Sequence, residues 1–227
     1  IFMVTEELSL LTSILTSNII NMKNILFKSI FLLTILSVVL TSCVQDDDFA
    51  IPSIKTPFYS EEFQNIQHNT ILDISGWTNY AETGTIKWKE RIYNNNGYAE
   101  FNTYGSGNAS NIGWLISPAY NLSGYENVKF SFQSAQNFVS DNANKLQVYV
   151  STNYDGTNVN ASTWTEINCT VANKDTAGYT FIPSGEIDLS TYENQIIHIA
   201  FKVTGSGTNT NLDGLFQVDN LYVYTSK

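Results

Sequence analysis

Few side chains in this sequence can carry covalent or acid–base chemistry. There are two histidines, His68 and His198, and two cysteines, Cys43 and Cys169. That leaves little for a zinc site or a Ser-His-Asp hydrolase. His198 alternates with Ala200 and Lys202, opposite the apolar set Ile197, Ile199, Phe201 and Val203. It therefore reads as a satisfied or solvent-facing histidine rather than a base, and His68 sits in a polar stretch. Cys169 shares a phase with Ile167 and Val171 and reads as a small buried hydrophobe. Carboxylates are more plentiful: Glu61, Glu62, Asp141, Asp155, Asp213 and Asp219. A glycosidase needs two of them roughly 5–10 Å apart across a sugar, and sequence adjacency does not set that separation. The chain reads as a non-enzyme.

Two non-covalent chemistries fit better. Calcium takes six to eight oxygens from carboxylates, amides and backbone. If the first and last strands of the domain lie side by side, Glu62 comes close to Asp219, and Asp141 is a third candidate ligand. The last strand supports this geometry. Phe216 and Val218 share one phase while Leu221 and Val223 share the other, so both pairs face a core only if a bulge at Asp219-Asn220 shifts the phase. Sugar recognition uses aromatic faces beside amides and carboxylates. Tyr93 adjoins Asn94, Asn95 and Asn96, Tyr98 and Tyr104 follow, and Tyr154 lies between Asn153 and Asp155. Trp88 stands among Lys87, Lys89 and Glu90, which makes it the tryptophan expected at the surface, whereas Trp77, Trp114 and Trp164 are expected in the core. The candidate ligand-binding set is Trp88, Tyr93, Tyr98, Tyr104, Tyr154 and Asp155.

The composition narrows the partners. With 11 Lys+Arg against 21 Asp+Glu the 227-residue chain has a net charge of −10. That excludes nucleic acid, whose phosphates call for clustered basic residues. Charged residues are only 14% of the chain, yet aromatics reach 13%, enough to build a core and exclude a disordered acidic chain.

The N-terminal quarter is read as a targeting sequence with its flanks. Residues 22–42 form a lipoprotein signal peptide: Met22-Lys23-Asn24 and Lys28 supply the basic start, and an apolar run extends from Ile30 to Leu40. That run is shorter than the roughly 20 residues a spanning helix requires. It ends at Leu40-Thr41-Ser42-Cys43, which resembles a bacterial lipobox with Cys43 as the lipidated residue. The acidic run Asp46-Asp47-Asp48 resembles the signal that sends some lipoproteins to the outer surface of the outer membrane, and residues 43–57 form a tether. Residues 1–21 read as upstream sequence without function. Four N-x-S/T sequons (Asn108, Asn121, Asn160, Asn168) and Asp175-Thr176-Ala177, which resembles a short O-glycosylation motif, carry little weight in a bacterial lipoprotein.

From residue 58 to 227 the pattern alternates with period two and no helix stands out. Val128 to Phe132, Leu146 to Val150 and Ile197 to Val203 each put apolar residues on one face. Turns at Asn94-Asn95-Asn96-Gly97, Gly105-Ser106-Gly107, Asp155-Gly156 and Gly205-Ser206-Gly207 separate them. Such spacing predicts one all-β domain, an antiparallel sandwich or barrel. A Leu-Ser-x-Tyr turn occurs twice, placing Tyr125 and Tyr192 beneath strand entries.

Several pieces in order carry a family resemblance: Phe58-Tyr59-Ser60-Glu61-Glu62-Phe63, Gly76-Trp77, Trp114-Leu115-Ile116-Ser117-Pro118-Ala119, Leu146 to Gly156, Thr163 to Ile167, Ile187-Asp188-Leu189-Ser190, and Val218-Asp219-Asn220-Leu221. Together they resemble the choice-of-anchor J domain, akin to cleaved-adhesin domains of bacterial surface proteins. The resemblance covers nearly all of the chain after the tether. It implies a MAM-like jelly-roll sandwich similar to carbohydrate-binding modules, a surface context, and structural calcium near the first and last strands. It does not by itself imply a ligand. The expectation is a non-catalytic surface module for a glycan or an extracellular protein, fixed to the membrane only by its lipid. The alternatives are a glycoside hydrolase or lyase on the same sandwich, and a structural accessory of a surface glycan-uptake complex. Substituting Cys43→Ser is expected to abolish metabolic labelling with a fatty acid and to release the protein from the membrane fraction. Retention of the unlabelled variant in that fraction would contradict the anchor.

Overall fold

The period-two pattern becomes strands at nearly every place where it is clean. The computed structural model describes residues 15–18, 21–23 and 57–225, and the chain divides into two units, Ile1–Pro52 and Ser53–Lys227. The first unit is described only through residues 15–18 and 21–23, which are helical. No helix among the described residues is long and apolar enough to cross a membrane. The apolar run, Cys43 and the acidic tether lie outside the described residues.

In the second unit the strands are β1 (Pro57–Glu61), β2 (Thr78–Thr83), β3 (Lys89–Tyr93), β4 (Asn96–Asn102), β5 (Asn111–Ile116), β6 (Tyr120–Asn121) and β7 (Val128–Asn137). They continue with β8 (Lys145–Ser151), β9 (Thr165–Ile167), β10 (Ile182–Pro183), β11 (Ile187–Asp188), β12 (Ile196–Gly205) and β13 (Leu215–Thr225). All pairings are antiparallel. One sheet runs β10-β7-β13-β4-β3, with β1 joined to β13 and β11 to β7. The other runs β2-β5-β12-β8-β9, with β6 joined to β12. The domain is an all-β, antiparallel sandwich, one of the two forms the alternation allows, and it is of the jelly-roll kind that the resemblance implies.

Strand β13 holds the first sheet together. Its first half pairs with β4, from Leu215↔Asn102 to Val218↔Ala99. Its second half pairs with β1, from Leu221↔Glu61 to Tyr224↔Pro57. Against β7 the register shifts between Asp219 and Tyr222, and Asn220 takes the left-handed conformation at φ 53°. The shift lets Phe216 and Val218 on one side of it, and Leu221 and Val223 on the other, all enter the core. A one-residue slip without the bulge would turn one pair outward.

The core lies between the sheets, with Phe101, Phe130, Phe132 and Phe216 from one and Leu115, Ile199 and Phe201 from the other. Phe132 and Phe201 meet edge to face at 5.0 Å across the interface. A smaller cluster covers the outer face of the second sheet: Trp114, Ile116 and Ala200 under Tyr154 and Val159, with Trp164 and Tyr149 packed against them.

Trp88 corrects its expected exposure. It is 0% exposed, its ring 5.6 Å from Phe101. Lys87 and Lys89 flank it on the opposite phase, so neighbouring charge in sequence said nothing about its own face. Glu90, in phase with Trp88, is also buried, and its carboxylate accepts from the Gln67 and Asp73 amides and from Thr70. Trp114 is buried but outside the main core, and Trp77 and Trp164 are half-buried. Tyr125 is exposed and stacks flat on Phe58 at 3.8 Å, and Tyr192 packs against the core.

Gly113 of β5 lies directly beneath the Phe101 ring, where a Cβ would overlap ring carbons. The bare backbone lets the two sheets close at this point. Gly113→Ala is expected to destabilise the domain by about 1–3 kcal/mol, the usual cost of overpacking. At roughly 2–4 °C per kcal/mol, calorimetry should register a clear fall in Tm. An unchanged Tm would mean that Phe101 has room to move.

Candidate functional site

The outer face of the first sheet carries a groove of about 960 Å³. Alternation places its floor. In β4, Ala99 and Phe101 point inward, so Tyr98, Glu100 and Asn102 point out; Arg91 of β3 and Gln217 of β13 join them. Loops raise the walls. Tyr93 stands at the β3–β4 turn and Tyr104 after β4. Phe138 follows β7, Tyr179 and Phe181 precede β10, and Asp213 precedes β13.

Four of these rings are solvent-exposed: Tyr93 at 69%, Tyr104 at 75%, Phe138 at 71% and Tyr179 at 56%. Two are held in an unfavourable backbone. Phe138 has φ 61° and Tyr179 φ 57°, a region bulky residues enter at a cost of about 1–3 kcal/mol. The Tyr179 amide donates to the Gln136 carbonyl at 2.7 Å, and the Val139 amide to the Gln136 side chain at 3.1 Å. Buried Gln136 therefore fixes both strained turns, and both turns aim a ring at the same groove.

The floor is polar and internally bonded. Glu100 is buried, and its Oε2 accepts from Gln217 Nε2 at 2.9 Å. Arg91 Nε lies 3.2 Å from Glu100 Oε1. Its N–H is not directed at that oxygen and finds no other acceptor, so the pair is coulombic rather than a directed hydrogen bond. Arg91 Nη1 donates to Asn69 Oδ1 at 2.9 Å. Burial, and then the Glu100 charge, raise the Tyr98 phenol above its ordinary value. Tyr98 thus keeps its proton and meets Phe181 edge to face at 5.7 Å.

Of the six ligand-binding residues expected from sequence, the structure gathers Tyr93, Tyr98 and Tyr104. Trp88 is in the core. Tyr154 is buried on the outer face of the other sheet, donates to Thr78 Oγ1 at 3.1 Å and packs edge to face on His198. Its expected exposure is therefore corrected: the loop after β8 folds it inward. Asp155 closes that loop by accepting from the Thr157 and Asn158 amides, which hold its carboxyl below the usual range. Both serve structure on the face opposite the groove. Sequence reasoning missed Arg91, Glu100, Gln217, Phe138 and Tyr179. Phe138 and Tyr179 did leave a signal, each being an aromatic residue in a polar loop.

His198 is half-buried and its Nδ1 donates to the Ser117 carbonyl at 2.8 Å, a satisfied histidine. Cys169 is half-buried, and burial, then Glu166, push its thiol up to about 11. That leaves almost none of it as the reactive thiolate.

The expected calcium trio divides. Asp219 is buried at the bulge, between the end of β1 and the start of β4. Its Oδ2 accepts from Asn96 Nδ2 at 2.8 Å and its Oδ1 from the Asn220 amide at 2.7 Å. Burial raises its carboxyl above the ordinary range, those two donors draw it back, and the Glu62 and Glu61 charges add to the rise. Glu62 accepts from the Tyr222 hydroxyl at 2.7 Å. Asp141 instead closes a turn on the Ala143 amide in the β7–β8 loop. Among the described residues no group of three or more His, Cys, Asp or Glu side chains is placed to hold a metal ion. Both oxygens of Asp219 thus have N–H donors, and Asp141 sits in a separate loop from Glu62 and Asp219.

Residues 119–226 match the family model described as Domain of unknown function (DUF5017). No curated protein is detectably similar to the chain. Among solved structures, a cleaved-adhesin domain of Lys-gingipain from Porphyromonas gingivalis is 20% identical with a TM-score of 0.46, covering 74% of this chain and 98% of that one. A xylan-binding domain of Xyn10C from Paenibacillus barcinonensis is 11% identical at a TM-score of 0.43, over 74% and 99%. A family 11 carbohydrate-binding module of a cellulase from Clostridium thermocellum is 12% identical at 0.38, over 75% and 97%. The fold assignment rests on the strand pairing, and the binding properties in those names belong to those proteins.

Asp219→Ala leaves the Asn96 amide and the Asn220 N–H without an acceptor in a buried place. The expected loss is about 1–3 kcal/mol of stability, equal in calcium and in chelator. A loss seen only in calcium, or a wild-type Tm that falls on chelation, would show that a metal occupies the junction.

Proposed function

We propose that this domain is a non-catalytic binding module that recognises carbohydrate in the groove on its first sheet. The observation that supports this reading is the ring of four exposed aromatics around a polar floor, two of them in strained left-handed backbones. Strain of this kind persists where a side chain must be aimed. Exposed rings suit the apolar faces of pyranoses, and Asn102, Gln217 and the Tyr98 hydroxyl suit their hydroxyls. A groove with apolar walls and a few placed polar groups is the ordinary form of a ligand site.

A hydrolase reading calls for an acid with a proton to give. Of the two carboxylates in the lining, Glu100 faces Arg91 with one oxygen and accepts from Gln217 with the other, so it is committed to the floor, and Asp213 is left without a partner carboxylate for acid–base work. The lining contains no histidine or cysteine. The proposal further places the module on the outer surface of the outer membrane, tethered through Cys43, on the strength of the lipobox register and the acidic run behind it.

Affinity electrophoresis against glucomannan, laminarin and linear xylan tests the reading. Retardation by at least one of them is expected. Tyr104→Ala and Phe138→Ala are each expected to weaken it by at least about 1 kcal/mol, roughly fivefold. If neither substitution changes retardation, the groove is not the site. Release of new reducing ends from the bound polymer would overturn the non-catalytic claim.

A further inference from the structure

The charges of the groove carry an inference that rests on the glycan reading and specifies the class of glycan. Three ionisable side chains of fixed charge line it: Arg91, Glu100 and Asp213. Arg91 is the one cation of that lining, and a guanidinium is the natural partner of a sugar carboxylate because its fork matches two oxygens. Here it is already engaged. Its Nε lies 3.2 Å from Glu100 and its Nη1 donates to Asn69. Glu100 is in turn buried and steadied by Gln217, so it cannot swing away to release its partner. With Arg91 and Glu100 cancelling, Asp213 leaves the lining with net negative charge, on a chain whose total is −10.

We infer that the Arg91–Glu100 pair is a charge filter, which makes the groove a site for neutral, hydroxyl-rich glycans and excludes uronate-containing ones. A carboxylate entering the groove would meet the charge of Asp213, and the one cation of the lining is already offset by Glu100. Such repulsion acts over the roughly 8 Å that physiological salt leaves unscreened. Selectivity here comes from the repulsive element as much as from the attractive ones.

The probe is a neutral polysaccharide that the wild-type protein retains, compared with the same polymer oxidised at C6 to uronate. The wild-type protein should bind the oxidised polymer at least about tenfold more weakly than the parent, and methyl esterification of the oxidised polymer should restore most of that loss. Glu100→Gln keeps the size of the side chain and its contact with Gln217 while freeing the guanidinium. Its ratio of oxidised to parent affinity should rise at least about tenfold over wild type, and the gain should vanish in 0.5 M salt (about 4 Å of screening length) and in the Glu100→Gln/Arg91→Gln double variant. Equal binding of oxidised and parent polymer by the wild-type protein overturns the filter and leaves the glycan reading standing. So does a loss that esterification fails to restore, because the missing C6 hydroxyl then explains it. Failure of the wild-type protein to retain any polysaccharide removes the glycan reading itself. The esterification arm needs no variant, so it decides the matter even if Glu100→Gln does not fold.

Discussion

The bulge in β13 is the constraint on which the rest of the domain depends. One strand must pair with β4 along its first half and with β1 along its second, while sending apolar residues into a single core from both. A regular strand cannot do this, because its phase would put either Phe216 and Val218 or Leu221 and Val223 outside. The extra residue at Asp219-Asn220 resolves the conflict. Its cost is a left-handed asparagine and a buried carboxylate, and the Asn96 amide and the Asn220 N–H offset that cost by satisfying the carboxylate.

The same strand organises the groove. Gln217 lies two residues before the bulged aspartate, and its side chain reaches Glu100 on β4. The floor of the groove and the closure of the sheet are therefore built on positions two residues apart in one strand. Around this floor the walls come from loops, and the inward-facing Gln136 of β7 ties two of them through the backbone on either side of Phe138 and Tyr179. A rigid sheet supplies the polar contacts and strained loops supply the rings, which is a common division of labour for a binding site.

The sequence made the architecture legible wherever one face of a strand was consistently apolar. It also revealed the bulge, because a phase change between two apolar pairs has no other economical explanation. The site was only half legible. Tyr93, Tyr98 and Tyr104 stand near a turn whose chemistry is evident. Glu100 and Gln217, by contrast, look like any polar residue on an alternate face, and nothing local says that their strands are neighbours. Trp88 failed for a related reason: flanking charges describe the opposite face of a strand. Tyr154 was misplaced because a loop folds back over the second sheet, a tertiary event with no local signature. Asp141, which the sequence grouped with Asp219, closes a turn of its own in the β7–β8 loop, and no local pattern announces that turn.

The pairing of β1 with β13 has a mechanical meaning. The chain enters the domain at Pro57, the outer end of β1, and β1 lies antiparallel to the half of β13 beyond the bulge. A pull on the entering segment is directed along the strand axis, whereas the ladder hydrogen bonds lie across it. Such a load is shared by the whole ladder in shear instead of opening it one rung at a time. A ligand held against Gln217 and Glu100 would resist that pull through the same strand. The path from Pro57 to the floor of the groove then runs through a single ladder and the continuous backbone of β13, and the sandwich core lies beside that path rather than within it.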